Sequence, residues 1–172
     1  MKTSIRFYHL YQKWITSAGK SVKPDDLLIT ASDLIRGPRR LRQSNLRRAC
    51  STTYYALFHT LCRCCADTMV SDKSTKRAWV QAYRFLKHGH VKNQCAHKRI
   101  ADFPDEIQDF ADMFVQMQEK RHRADYDPTG IYYKSAVKAD IDAAKTAIDA
   151  FTKSTRKDKR AFVIFVALDG PK

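Results

Sequence analysis

Apolar residues recur along most of the chain at steps of three and four, the spacing of an amphipathic α-helix. Alternation at every second position, which would indicate strands, is scarce. A first helix is predicted over residues 3–19, where Phe7, Tyr11, Trp14 and Ala18 form the apolar stripe. The pattern therefore predicts an all-α fold.

Proline and glycine give the boundaries of the helices that follow. A second helix is predicted from Pro24, because proline suits a first helical turn, and it ends at Gly37-Pro38. We expect one domain over residues 1–172, a bundle of five or six helices with its core in residues 25–152. A long helix is predicted from about Arg40 to Met69, and a shorter one contains Trp79, Ala82, Tyr83 and Leu86 and ends near Gly89. Another begins at Pro104-Asp105-Glu106 and continues through Met117, and the last runs from Val137 to Phe151.

Residues 153–172 form a C-terminal segment with two halves of opposite character. The basic stretch "KSTRKDKR" comes first, and the apolar run "AFVIFVAL" from Ala161 to Leu168 follows it. The run either packs into the core of its own chain or forms a tail that docks on a partner subunit. We favour burial within the chain.

The net charge of +14 is concentrated in one part of the chain. Residues 1–100 hold 20 Lys and Arg against 5 Asp and Glu, whereas residues 101–172 hold 12 against 13. Such a basic half indicates a polyanionic partner, with RNA or DNA ahead of lipid. The densest stretch has six arginines and no acid, at Arg36, Arg39, Arg40, Arg42, Arg47 and Arg48. This stretch either contacts backbone phosphates or pairs with the six acids of residues 102–119.

The five cysteines bear on compartment and on metal binding. Their number is odd and three of them crowd into "CRCC", which suits reduced thiols in a cytoplasm better than a disulfide framework. His59, Cys62 and Cys65 share a helix, but a paired Cys motif of the loop type is missing, so we expect neither a metal site nor a cofactor. No run of about 18 apolar residues is present, so we expect no membrane association.

An arginine stands where a core residue belongs near the end of one predicted helix. Ile107, Phe110, Phe114 and Met117 define its apolar face, and the next step of four reaches Arg121. Asp125 lies four residues further on, within reach of an ion pair. Arg121 therefore either staples the helix end through Asp125 or presents its planar fork to a phosphate in a groove between helices.

A second polar line runs along the predicted long helix. Arg48, Thr52, Tyr55, His59 and Arg63 follow one another at steps of three and four, beside the apolar stripe. The line is either an ordinary solvated face or the wall of a cleft opposite Arg121.

Two segments resemble motifs of the HEPN superfamily. "RRACSTTYYALFHTLC" in the long helix, and "RHRADYD" at the end of a later helix, are similar to the "YYAxFH" helix and "RxxADY" helix end of small stand-alone prokaryotic HEPN proteins. The resemblance spans about residues 25–152. It implies an antiparallel up-and-down bundle that forms a homodimer, with metal-independent endoribonuclease activity in many members. It also implies membership of a toxin–antitoxin or defence-type system, often with a small nucleotidyltransferase as partner.

The chain departs from the catalytic motif of that family. Arg121 and His122 match its first two positions, but Tyr126 stands where the motif has histidine. We therefore expect a protein that binds RNA or nucleotide without cleaving it, through Arg121, Asp125, Tyr126 and the facing Arg48, Tyr55 and His59. The alternatives are an active ribonuclease, with Arg121, His122 and Tyr126 as catalytic residues, and a protein-interaction module that docks a nucleotidyltransferase.

Overall fold

The computed structural model describes residues 22–37, 41–70 and 76–168. These ranges contain seven α-helices, one 3₁₀ helix and no strand, so the all-α prediction is confirmed with more helices than the five or six expected. The predicted helix over residues 3–19 lies outside the described residues. The helices are α1 (Pro24–Leu34), α2 (Gln43–Met69), α3 (Lys76–Tyr83), α4 (His88–Cys95), the 3₁₀ helix (Lys98–Asp102), α5 (Asp105–Tyr126), α6 (Lys134–Lys153) and α7 (Arg156–Ala167).

Helix α2 forms the centre of the bundle and contacts α1, α3, α5, α6 and α7. Most of its residues between Ala49 and Ala66 are buried, because neighbours cover it on several sides. Ser51 meets Asp125 and Phe58 lies near Phe114, so α2 and α5 run antiparallel. This pairing brings the start of α2 beside the end of α5.

Helices α5 and α6 follow the predicted apolar stripes. The α5 residues Ile107, Phe110, Phe114 and Met117 are fully buried, as their spacing predicts. Asp105 and Glu106 occupy the first turn of α5, where acids stabilise the positive end of the helix dipole. Helix α6 runs back along α5, with its stripe buried at Val137, Ile141, Ala144, Ile148 and Phe151.

The segment from Lys76 to Cys95 differs from the single helix predicted there. Helix α3 ends at Tyr83, and α4 begins at His88 after a short link. Tyr83 and Leu86 are both buried. The chain therefore breaks its helix to keep both side chains in the core, and Gly89 lies inside α4 instead of ending a helix.

The apolar run near the C-terminus packs into its own core, as the favoured interpretation predicts. It belongs to a separate helix, α7, whose start is capped by Thr155, with its hydroxyl accepting from the Asp158 amide at 3.1 Å. Phe162 and Val163 are fully buried, and the Phe162 ring lies edge-on to Phe103. None of the helices in the described part of the chain is long and apolar enough to cross a membrane.

Candidate functional site

The end of α5 is fastened to the start of α2 by one arginine. Arg47 Nη1 donates to the carbonyl oxygens of Ala124 and Asp127 at 3.1 and 2.5 Å, and Nη2 donates to Gly130 at 2.7 Å. Ala124 is in the last turn of α5, where carbonyls lack intrahelical partners, and Asp127 and Gly130 follow the helix. Arg47 was predicted as a phosphate ligand, but the structure has its guanidinium engaged with backbone, where it holds the helix end that carries Arg121.

Arg121 lies in a cleft between α5 and α2, with its side chain 22% exposed. Its Nε lies 2.7 Å from Asp125 Oδ2, and its Nη2 donates to the Tyr55 hydroxyl at 3.3 Å. Within the described part of the chain, its Nη1 makes no hydrogen bond. Both predicted roles of Arg121 are therefore compatible, because the ion pair fixes one side of the guanidinium and leaves another side for a ligand.

Asp125 is itself held from the opposite side. The buried Ser51 hydroxyl donates to Asp125 Oδ1 at 2.6 Å, while Oδ2 faces Arg121. A carboxylate with both oxygens engaged has little rotational freedom. Asp125 therefore fixes the direction in which Arg121 points, and Ser51 is a supporting residue that the sequence pattern did not single out.

Three tyrosines surround the Arg121 guanidinium. Its central carbon lies 6.0, 5.7 and 5.9 Å from the ring centroids of Tyr54, Tyr55 and Tyr126. Cations at about this distance from aromatic faces gain stabilisation from the ring quadrupole. Partial burial acts to lower the pKa of Arg121, but Tyr55 and Asp125 outweigh it and raise that pKa, so the guanidinium stays charged.

A histidine that the sequence analysis did not assign to the cleft adjoins it. His88, the first residue of α4, stacks on Phe58 with ring centroids 3.8 Å apart, and its Nδ1 lies 2.6 Å from the Tyr54 hydroxyl. Burial, with Arg121 and His59 nearby, lowers the pKa of His88 to about 4. Its position depends on the break between α3 and α4, which no local sequence signal indicates.

The direction of the Tyr54–His88 hydrogen bond depends on which ring nitrogen of His88 carries the proton. Burial raises the pKa of the Tyr54 hydroxyl well above its usual value, so this phenol keeps its proton. Either the phenol donates to Nδ1, or Nδ1–H donates to the phenol oxygen, and the imidazole is neutral near pH 7 in both arrangements.

The other predicted site residues divide between surface and core. His122 is exposed and its ring lies 4.9 Å from that of Tyr126, which is 60% exposed. Arg48 is also exposed. His59, by contrast, is 2% exposed, its Nδ1 lies 2.6 Å from the Tyr83 hydroxyl, and burial lowers its pKa to about 4. The structure thus places His59 in the core, where no ligand reaches it.

The arginines before α2 lie in different environments. Arg36 forms an ion pair of 3.0 Å with Asp33 on the surface. Asp33 lies just before the arginine stretch, which itself contains no acid. Arg42 is exposed at the start of α2, whereas Arg39 and Arg40 lie outside the described residues. The described ion pairs of Asp102 and Glu119 go to Arg99 and Lys92, and do not involve this arginine stretch.

The cysteines and histidines do not converge. No three His, Cys, Asp or Glu side chains of the described ranges are placed to hold a metal ion. All five cysteines are free thiols, and burial raises the pKa of Cys50 to about 12 and of Cys65 to about 11. These thiols therefore stay protonated near neutral pH.

Comparison of the chain with protein-family models, curated proteins and solved structures finds no match. The cleft contains a fixed, half-buried cation with aromatic rings on several sides and two supporting hydroxyls. It can bind an anion with directional hydrogen bonds.

Proposed function

We propose that this chain is a HEPN-like protein of the cytoplasm that binds RNA or nucleotide through a phosphate held at Arg121, without cleaving it. The proposal also assigns it to a toxin–antitoxin or defence-type system. The observation that carries the binding function is the Arg121 guanidinium, fixed by Asp125 and Tyr55 yet 22% exposed. A cation oriented in advance binds phosphate with little loss of side-chain freedom.

The surroundings of Arg121 suit a nucleotide better than a bare anion. Tyr126 is 60% exposed beside the guanidinium and offers a face on which a base stacks. His88 is a neutral imidazole beside the cleft, and its second ring nitrogen suits a hydrogen bond to a ribose hydroxyl, which both donates and accepts. Exposed Arg42, just before α2, and exposed Arg48 on α2 supply further positive charge for a longer strand.

Proton transfer is poorly provided for in this cleft. A pKa of about 4 makes His88 a weak base, and it leaves the ring scarcely protonated, and so a poor acid, at neutral pH. His122 is one position from Arg121, so the two side chains leave α5 about 100° apart. Both features support binding over the alternative of a ribonuclease that uses His122 or Tyr126.

A homodimer is part of the proposal. Two large side chains are strongly exposed after the end of α5, Ile131 at 70% and Tyr133 at 67%. Exposed apolar side chains of this kind suit an interface. A dimer through this surface would bring two Arg121 clefts towards each other. The nucleotidyltransferase partner stays a prediction of the resemblance.

The experiment measures binding of a fluorescent single-stranded RNA of about 16 nucleotides by anisotropy. We expect Arg121→Ala to weaken binding at least about tenfold, because a charge-assisted contact to phosphate is lost. Arg121→Lys keeps the charge but loses the planar guanidinium, so its RNA affinity should lie between those of Arg121→Ala and the unaltered protein. Arg123→Ala is the matched control, since Arg123 is exposed two residues away on the same helix.

The same samples distinguish binding from cleavage. Affinity should fall steeply with added salt, and the RNA should remain intact in the presence of a chelator. Equal losses for Arg121→Ala and Arg123→Ala would mean that diffuse charge carries the binding, and the cleft proposal would be wrong. Chelator-resistant cleavage that Arg121→Ala abolishes would instead establish the ribonuclease.

A further inference from the structure

A second recess opens on another side of the bundle, away from the Arg121 cleft. It lies where the starts of α1 and α7 meet the C-terminal halves of α2 and α6, and its volume is about 620 Å³. Pockets for small organic ligands have volumes of roughly 300–1,000 Å³. The recess shares no lining residue with the cleft, because it uses residues Thr60–Thr68 of α2 whereas the cleft uses Ser51–Tyr55.

The lining of this recess is strongly basic. Five cationic side chains face two acids, Asp25 and Asp67. One carboxylate oxygen of Asp67 already accepts a hydrogen bond from the Trp79 indole at 2.8 Å. An excess of positive charge in a concave, partly desolvated space attracts anions more strongly than the same charges on a convex surface. The five cations are Lys23, Arg63, Arg156, Lys159 and Arg160.

Two of these cations are available to a ligand. Arg156 and Arg160 are exposed and, as far as the described residues extend, form neither an ion pair nor a hydrogen bond. They stand four residues apart on α7, so they lie on one face, and like charges at this spacing repel each other. An anion between them would remove that repulsion.

The base of the recess is less polar than its rim. The buried Ile148 and Phe151 of α6 line it with the buried Thr60 of α2, whereas Thr152 is an exposed part of the lining. Thr60 and Thr152 donate their hydroxyl protons to backbone carbonyls of their own helices, at 2.9 and 2.7 Å, which leaves their oxygens as acceptors. A ligand that fits both parts has an anionic group for the rim and an organic body with hydrogen-bond donors for the base.

We propose that this recess is a second binding site, for a small organic phosphate of mononucleotide size, and that it works independently of the Arg121 cleft. Arg156 and Arg160 hold the phosphate, and the α2–α6 side of the recess receives the organic body. The proposal does not depend on the RNA-binding function, since the two sites have no side chain in common.

The test uses methyl NMR of the full chain with labelled isoleucines, because Ile148 lines the recess and the buried Ile107 of α5 serves as reference. AMP is the probe, with adenosine and inorganic phosphate as its two halves. We expect AMP to shift the Ile148 methyl signal in a saturable way, with Ile107 unmoved. Adenosine and inorganic phosphate should each bind at least about tenfold more weakly, since each lacks half of the contacts.

Variants on α7 make the assignment specific. Arg156→Ala combined with Arg160→Ala should weaken the AMP effect at Ile148 at least about tenfold. Lys157→Ala is the control, because Lys157 is exposed on the same helix but does not line the recess. Arg121→Ala should leave the AMP affinity at Ile148 unchanged even if it abolishes RNA binding.

Three outcomes would overturn the proposal. One is an Ile148 signal that AMP does not move. Another is an equal loss of affinity in Lys157→Ala and in the double variant, which would indicate general charge attraction. The third is an Ile148 signal that moves with RNA but not with AMP, which would make the recess part of an RNA path.

Discussion

Arg121 illustrates how the side chain that stabilises a helix end is also suited to the proposed ligand. Its ion pair with Asp125 is 2.7 Å long, and the ring centroids of Tyr54, Tyr55 and Tyr126 lie 6.0, 5.7 and 5.9 Å from its central carbon. A half-buried charge without such partners would cost several kcal/mol. The partners that make the charge tolerable also fix its direction, so the stability of this helix end and the readiness of the site have a common origin.

Two buried histidines predict a pH dependence of stability. Burial lowers the pKa of His59 and of His88 from 6.5 to about 4. Between these two pH values the unfolded chain takes up protons that the folded chain does not. The unfolding free energy is therefore highest above about pH 6.5 and falls as the pH drops towards 4. We expect a loss on the order of 2 kcal/mol for each histidine, measured by urea denaturation from about pH 7.5 to 5.

A pair of variants separates this effect from general acid sensitivity. His59→Phe retains the aromatic volume and should remove about half of the slope over this range. His122→Gln, at an exposed position on α5, should leave the slope unchanged. A slope that His59→Phe does not alter would contradict the assignment.

At the scale of elements, most helices were predictable from the spacing of apolar residues and from the proline and glycine residues at helix boundaries. Pro24 and Gly37 mark the limits of α1, and Gly37 adopts a positive φ of 134° that suits glycine. The stripes of α2, α5 and α6 were predictable because each buries one continuous face. These signals are local, so a single sequence contains them.

The break between α3 and α4 could not be predicted in the same way. The chain turns after Tyr83 because Tyr83 and Leu86 both pack into a core built by distant segments. His88 reaches Tyr54 only through this turn. Arg47 likewise donates to carbonyls 77 to 83 residues away in the sequence. The local spacing of apolar and polar residues cannot predict such contacts.

The link made by Arg47 predicts a matched pair of variants. Arg47→Ala removes donors to three carbonyls in the last turn of α5 and in the turn that follows it, and we expect it to lower the unfolding free energy by about 2–3 kcal/mol. Arg48→Ala, exposed at the next position, should change it by no more than about 0.5 kcal/mol. Urea denaturation measures both, and similar values for the two would show that the carbonyl contacts contribute little.

For the whole molecule, the central question is how the basic surface and the apolar surface are used. Arg42 and Arg48 are exposed near the Arg121 cleft and five cations line the recess at α7, while Ile131 and Tyr133 give an apolar surface after α5. This separation suits a protein that binds anions and also self-associates. Charge repulsion between two basic chains is smaller when the interface itself is apolar.

The proposed dimer is tested by light scattering after gel filtration. We expect the unaltered protein to have twice the 19.9 kDa mass of one chain. Ile131→Asp combined with Tyr133→Asp should shift it to the mass of one chain, because carboxylates would be buried at the interface. Ile29→Asp is the control, as Ile29 is 58% exposed on α1. A single-chain mass for the unaltered protein would contradict the dimer.

The enclosure of α2 bears on how such a molecule can diverge. Ala49, Ala56 and Ala66 are fully buried against neighbouring helices, so larger side chains at these positions would push the bundle apart. The arginines at the two rims, by contrast, can be exchanged one at a time with little effect on packing. The charge pattern around the two proposed sites is therefore free to change between related chains, while the central helix stays nearly fixed in volume.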